Sequence, residues 1–463
     1  MKLPTLIVLL LRNKEIRKEF FMIKDKNILI LGMARSGISI AKLLAKYNNK
    51  IVITDLKEQK EEIVKELEAL NIKIIISNHQ EELVNDSFDY VIKNPAIRRD
   101  NAAVIKAKEL GIPVINEIEA SYYFLPKDVK IITITGSNGK TTTTTMVYEL
   151  LKHSSHTVHV GGNIGIPLSS FVEDIKPNDI LVLEISDHQL CDMYHFKSDI
   201  SVLTNLSETH IDFHGSYEIY KQTKKKIFNH HTEKDIAILN KSNIDVMNLT
   251  KDIEDQKIYF SSTEVADAYL KNNQIIYNGE AILDCKDIRV KGNHNYENIM
   301  VAIIIAKMFS ITNEQIKEFF SKFVGVEHRI EYVKTVNGRQ FYNDSKSTNN
   351  TATITALKSF KDPTILLMGG LDRNISFDEI SHYLNHVKAI ICFGETKYKL
   401  EEFAKKNHKE VFVVNTLTEA TKKAYEISDQ GDIILLSPAC ASWDQYPDFE
   451  TRGNEFKAII NHL

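Results

Sequence analysis

The segment Thr133–Met146, TITGSNGKTTTTTM, constrains the fold more than any other part of the chain. It continues the apolar, β-branched run Lys130–Thr135, carries glycines at 136 and 139, and leads into the helix-forming stretch Met146–Leu151. A strand, a tight turn and a helix start, in that order, put unpaired N–H groups and the positive end of a helix dipole where phosphate binds. Lys140 is placed to neutralise the outer phosphates, and the hydroxyl of Thr141 or Thr142 to reach a magnesium ion. The general pattern has glycine where Ile134 stands, so this is a variant loop.

Composition narrows the class. A chain of 463 residues, 43% of them hydrophobic, suggests about three domains with several buried cores. A net charge of −4 without a long basic run gives no electrostatic case for nucleic acid. Cys191, Cys285, Cys392 and Cys440 are scattered, which indicates neither a disulfide framework nor a zinc site. At the start, LPTLIVLLL is too short to span a bilayer and has no small-residue cleavage site, so residues 1–21 read as an extension and Met22 as the functional start.

From Met22 strands and helices alternate, as in small doubly wound sheets. Residues 22–127 hold NILILG, KIVITD, KIIIS and YVIKNPAI, separated by helical patterns. GMARSG has Gly32 and Gly37 but lacks the middle glycine of GxGxxG, which makes it poor support for NAD. Asp55 ends the second strand, where such sheets hold a ribose or simply cap the strand. A second α/β unit, 128–326, contains the phosphate loop, HVGGNIGIP and DILVLEISDHQL; a third, 327–463, opens after VEHRIE.

Polar residues cluster at strand ends of the last two units. Glu184 closes an apolar strand and is placed to meet a Mg²⁺ held by the Thr141 hydroxyl. His210 and Asp212 follow another strand, where a structural role weighs equally. Arg329 is either a γ-phosphate contact or an ordinary surface arginine, and NDSKST packs an acid, a base and hydroxyls into six residues.

Seven motifs in register, TGSNGKTTT, GGNIG, LEIS, HNYEN, HRIE, NDSKSTN and SPACASWDQYPDFETRG, resemble the Mur ligase family of peptidoglycan synthesis from Met22 to the C-terminus. The resemblance implies an α/β protein of three domains: a Rossmann-like N-terminal domain for a uridine nucleotide, a central P-loop ATPase-type domain and a C-terminal Rossmann-like domain for the amino acid. It implies a cytoplasmic, monomeric ligase that uses ATP and two Mg²⁺ ions to join D-glutamate to UDP-N-acetylmuramoyl-L-alanine through an acyl phosphate. Another Mur ligase, a folylpolyglutamate synthase, an NAD-dependent dehydrogenase and a nucleotide-driven switch are the alternatives.

Carried over residue by residue, the resemblance gives ATP to Gly136, Ser137, Asn138, Gly139, Lys140, Thr141, Thr142, Asn295, Asn298, Arg329 and Asp344. The metal ligands would be Thr141, Glu184, His210 and Lys224, the last as a carbamate, with Lys225 and Lys226 as competitors. Ala34, Arg35, Asp55, Asn94 and Pro95 fall at the uracil and pyrophosphate site, and Asn163, Ser186 and Gln189 along the muramoyl-alanine arm. Lys346, Thr348, Arg373, Ser442 and Phe449 would form the D-glutamate pocket, Lys346 with a catalytic part alongside Lys140, Glu184, His210 and Lys224. Asp187 and His188 stand where the family has serine and phenylalanine, and Ala96 and Asn374 where it has glycine, two positions expected to need positive φ.

Overall fold

A computed structural model describes residues 23–290, 292–373 and 375–463; the expectations for residues 1–21, Met22 and Asn374 lie outside the described residues. The chain divides into two compact units, one running to Asp287 and including Asn293–Phe319, the other made of Ile288–Gly292 and Phe320–Leu463.

The first unit holds two sheets. In one, β1 (Asn27–Leu31), β2 (Lys50–Asp55), β3 (Lys73–Ile76), β4 (Tyr90–Lys93) and β5 (Val114–Ile115) lie in the order β3-β2-β1-β4-β5, all parallel. The strand order reverses at β1, and the crevice beyond the carboxyl ends of β1 and β4 is where such sheets take a ligand. The close packing this needs is visible at Gly37, where a Cβ would stand 2.0 Å from the Gly32 carbonyl oxygen.

The second sheet is built from β6 (Lys130–Thr135), β7 (Val158–Gly162), β8 (Ile180–Glu184), β9 (Ile200–Leu203), β10 (Ile236–Asn240), β11 (Gln256–Ser261), β12 (Ala268–Lys271), β13 (Gln274–Tyr277) and β14 (Glu280–Asp284). Its order is β14-β13-β12-β11-β10-β9-β6-β8-β7, with only the β12-β13-β14 end antiparallel. The central strands are near-continuous apolar runs because helices cover both faces, and the order switches at β6. One hydrophobic core spans both sheets, from Ile28 and Ile53 to Leu183 and Leu239. Buried polar ties fasten them together: Lys93 pairs with Asp192 at 2.8 Å, and Glu119 accepts from the amides of His195 and Phe196 at 2.7 and 3.1 Å.

In the second unit, β15 (Glu331–Val336), β16 (Arg339–Asn343), β17 (Thr364–Gly369), β18 (Val387–Phe393), β19 (Glu410–Val413) and β20 (Ile433–Leu436) form a sheet ordered β15-β16-β20-β17-β18-β19. Only β15 runs antiparallel to its neighbour. The loops leaving β16, β17 and β20 therefore gather at one edge, and they carry NDSKST, GGLDRN and SPACAS.

Candidate active site

The phosphate loop leaves β6 through Gly136 (φ 148°) and enters the helix Lys140–Leu151 through Gly139 (φ 80°). Close approach requires both glycines: a Cβ at 136 would lie 2.0 Å from Thr204 Oγ1, and one at 139 would lie 2.5 Å from Asn298 Oδ1. Thr204 Oγ1 donates to the Asn138 carbonyl (2.7 Å), and Asn205 Oδ1 accepts from the Asn138 amide (2.9 Å), so the residues that follow β9 brace the loop. Lys140 Nζ donates to the carbonyls of Gly136 and Ser137 at 2.8 and 2.9 Å, which holds its charge over the turn. Ile134 explains the variant motif. It is a fully buried strand residue in register with Glu184, and the turn begins only after Thr135. Asn298, from the helix Asn293–Met308, accepts from Thr143 Oγ1 at 3.1 Å, while Asn295 lies half-buried on the same helix.

Glu184 ends β8 one strand away and is 1% exposed. Asn163 Nδ2 donates to its Oε1 at 2.7 Å, and its Oε2 is buried without a hydrogen-bond partner. A buried, unsatisfied carboxylate oxygen is costly, and a carboxylate is a donor that suits Mg²⁺; Thr141, the other expected ligand, is also buried. Of the three consecutive lysines, only Lys224 turns inward. Lys225 pairs with Asp252 at the surface, and Lys226 donates to the carbonyls of Leu190 and Cys191. Lys224 is fully buried, donates to Thr135 Oγ1 at 3.0 Å and lies 3.4 Å from Asp187 Oδ1. Burial, with the neighbouring Lys140 charge, pushes its ammonium down to about 7.

The sequence reading missed the part played by Asp187. Ser186 and Gln189 form a capping box on the short helix Asp187–Leu190, which turns the Asp187 carboxylate inward. Its Oδ2 meets His188 Nδ1 (3.1 Å), His210 Nδ1 (2.9 Å) and His214 Nε2 (2.8 Å). The three imidazoles and Lys224 hold the acid well below the usual carboxylate range despite its burial. His210 sits in the left-handed region (φ 53°), a strained conformation that presents its ring. The four-residue spacing of His210 and His214 was the available signal, although the helix starts only at Ile211 and His210 stands as its left-handed N-cap.

At the first sheet, Asp55 Oδ2 accepts from the Met33 amide (2.6 Å) and Oδ1 from those of Leu56 and Lys57 (2.7 and 3.2 Å). The carboxylate thus caps both its own strand end and the loop after β1 that leads through Ala34 into the helix Arg35–Ala45. Asn94 donates to Ser36 Oγ (3.2 Å) and accepts from the Ala96 amide (3.0 Å) across Pro95. That turn corrects the expectation for Ala96, which does not have positive φ: an Asx-type turn made by Asn94 leaves alanine unstrained there.

Within the second unit, Asp344 is fully buried beyond β16, and burial pushes its carboxyl up to about 6 although Ser437 Oγ (2.7 Å) and the Ile330 amide (3.1 Å) donate to it. Arg329 is carried between His328 (φ 62°) and Ile330 (φ 46°), and its Nε is buried without a hydrogen-bond partner. Positive φ at a β-branched residue marks strain, of the kind kept at ligand-binding positions. Lys346 Nζ lies 5.4 Å from the centre of the Phe449 ring, and Arg373 stacks on Trp443 at 4.8 Å. A bridge between Leu371 and Ala441 joins the Arg373 loop to buried Ser442, while half-buried Thr348 precedes the helix Asn350–Lys358.

Two further residues organise this edge. Buried Arg452 donates to Ser345 Oγ (3.0 Å) and to the carbonyls of Ser345 (2.8 Å), Cys440 (3.1 Å) and Gly369 (3.3 Å), tying all three loops to one guanidinium. At Gly453 a Cβ would stand 2.2 Å from His328 Nδ1. Gly453→Ala is therefore expected to destabilise the unit by about 1–3 kcal/mol through overpacking against His328. Thermal unfolding of the variant beside the unaltered protein checks the effect.

Comparison with known proteins agrees with this layout. Residues 26–116 match the Mur ligase MurD-like N-terminal domain, 134–306 the Mur ligase middle domain, and 328–440 the Mur ligase glutamate ligase domain. The UDP-N-acetylmuramoylalanine–D-glutamate ligase of Geobacillus kaustophilus is 42% identical over 445 residues, covering 95% of this chain and 98% of the relative. The enzyme of the same description from Bacillus cereus strain Q1 is 42% identical over 444 residues, again covering 95% and 98%. Among solved structures, the UDP-N-acetylmuramate-alanine ligase MurC of Thermotoga maritima shares the fold, with a TM-score of 0.60, 20% identity, and coverage of 94% of this chain and 99% of that one.

Proposed function

Since the chain belongs to the Mur ligase family, we propose that it joins D-glutamate to UDP-N-acetylmuramoyl-L-alanine in peptidoglycan synthesis, using ATP to activate the L-alanyl carboxylate. A carboxylate is a poor electrophile with a poor leaving group. Phosphorylation turns the departing oxygen into phosphate, the D-glutamate amine attacks the acyl carbon, and an amide remains.

The observation that carries this reading is Glu184, a buried carboxylate with one unpartnered oxygen at the end of the strand beside the phosphate loop. Thr141 and Glu184 would hold one Mg²⁺, and His210 with Lys224 a second; these ions offset charge on the transferred phosphoryl group. Lys140, the loop amides and Arg329 would bind the outer phosphates, with Asn295 and Asn298 on the adenine side and Asp344 on the ribose or the nucleotide. Lys224 would act as a carbamate: its neutral amine adds to CO₂, a proton leaves, and the ammonium that would repel a cation becomes an anionic oxygen donor. The first-domain residues Ala34, Arg35, Asp55, Asn94 and Pro95 would take the uridine diphosphate, and Asn163, Ser186 and Gln189 the muramoyl arm. Lys346, Thr348, Arg373, Ser442 and Phe449 suit a dicarboxylic amino acid, since a cation and hydroxyls answer two carboxylates. The reading takes the enzyme to be a cytoplasmic monomer; no described helix is long and apolar enough to cross a membrane.

The test is phosphate release from ATP and Mg²⁺, with UDP-N-acetylmuramoyl-L-alanine and D-glutamate supplied singly and together. Release only with both is expected. Turnover with neither would point instead to a nucleotide-driven switch, and turnover with L-lysine in place of D-glutamate to another member of the family.

A further inference from the structure

We propose that Trp443 is a positioning residue for the amino-acid substrate: its indole supports one face of the Arg373 guanidinium and leaves the N–H edge open to a carboxylate. The proposal rests on the reading of this edge of the second unit as the D-glutamate pocket, and it gives a part to a residue outside that set.

Trp443 is the chain's sole tryptophan and is 63% exposed. Single exposed apolar side chains are common on protein surfaces, so exposure alone decides nothing. The frame beneath the indole is more telling. The Leu371 amide donates to the Ala441 carbonyl at 2.9 Å, and a Cβ at Gly370 would stand 2.1 Å from the same oxygen, so the two loops pack backbone to backbone. Glu395 then ties them together from the side. Its carboxylate accepts from the Asp372 amide at 3.1 Å, and its own amide donates to Asp444 Oδ2 at 3.0 Å. Arg373 follows one of these pinned residues and Trp443 precedes the other. The result is a guanidinium carbon 4.8 Å from the indole centre, within the range of a cation–π contact.

The surrounding charges leave the guanidinium edge available. Asp372 pairs with Lys399 at 3.1 Å, while Glu395 and Asp444 accept from backbone amides. Among the described residues, none forms a hydrogen bond or ion pair with Arg373. A long arginine side chain loses rotamer freedom when it engages a ligand, and stacking on a flat ring set by two χ angles incurs part of that loss beforehand. Stacking covers a face of the guanidinium and leaves its N–H groups in plane, where a carboxylate accepts two parallel bonds. The pair therefore selects a carboxylate over the corresponding amide.

The experiment is steady-state phosphate release by the full chain, with ATP, Mg²⁺ and UDP-N-acetylmuramoyl-L-alanine held in excess and D-glutamate varied. Trp443→Ala is expected to raise the KM for D-glutamate about 5- to 30-fold with kcat nearly unchanged, and Trp443→Phe, which keeps an aromatic face, to stay within about 3-fold. A double-mutant cycle shows whether the indole acts through Arg373. On an Arg373→Ala background, Trp443→Ala is expected to add nothing. An unchanged KM for D-glutamate in Trp443→Ala overturns the proposal, as does an equal rise in the KM for ATP or a full further loss on the Arg373→Ala background. In each of these cases D-glutamate-dependent release by the unaltered protein keeps the ligase reading standing; absence of such release overturns that reading and this proposal together.

Discussion

Lys224→Ala is expected to lower kcat by about 10³-fold, and added bicarbonate or a short carboxylate such as formate to restore part of the loss. The substitution empties a fully buried position bounded by Thr135 Oγ1 and Asp187, which a small anion can enter. Carbamate formation needs the neutral amine. With the amine pushed down to about 7, roughly half is neutral at pH 7, against about one in a few thousand for an ordinary lysine. Activation of the wild type by CO₂ is therefore expected to grow as pH rises through about 7. Stability carries the same signature. Between about 7 and 10.5 the folded state binds fewer protons here than the unfolded state, so stability relative to Lys224→Met rises with pH across that window. Denaturant unfolding of both proteins at pH 6.5, 8 and 9.5 checks the sign. Full activity of Lys224→Ala without additives would remove Lys224 from the site.

Gly136→Ala is expected to weaken ATP binding at least about 100-fold. Two effects act together. The backbone at φ 148° is one that L residues rarely adopt, and the added Cβ would fall 2.0 Å from Thr204 Oγ1 and 3.1 Å from the Asn205 backbone. Thr204 cannot yield freely, because its hydroxyl donates to the Asn138 carbonyl and closes the loop. The loop must therefore open, separating the amides that face the phosphates. Calorimetric titration with ATP analogues, beside a thermal melt to separate local from global damage, makes the measurement; near wild-type affinity would contradict the loop geometry described here.

The order of strands and helices was legible because alternating apolar runs and phosphate-loop spacing are local signals. Glu184, Lys140 and Lys224 were singled out as expected site residues from the chain of motifs, and in the structure burial distinguishes Lys224 from Lys225 and Lys226, which sequence alone does not. Ile134 marked the loop as a variant, and it is a strand position in register with Glu184. Ala96 was expected to be strained and is not, because the Asn94 side chain makes the turn. Asp187 was legible only as a departure from the family pattern. Its three imidazole partners come from two separate segments, and no spacing rule joins residue 187 to residues 210 and 214 before folding does. Arg452 escaped for the same reason: a buried cation satisfied by carbonyls has no acidic partner to search for in the sequence.

The most direct test of the account follows the oxygen of the activated carboxylate. UDP-N-acetylmuramoyl-L-alanine labelled with ¹⁸O in its L-alanyl carboxylate, turned over with ATP and D-glutamate, is expected to deliver one ¹⁸O atom to each phosphate released, read by mass spectrometry or by the ³¹P isotope shift. Unlabelled phosphate released in step with product would contradict it, because the acyl phosphate would then not lie on the path.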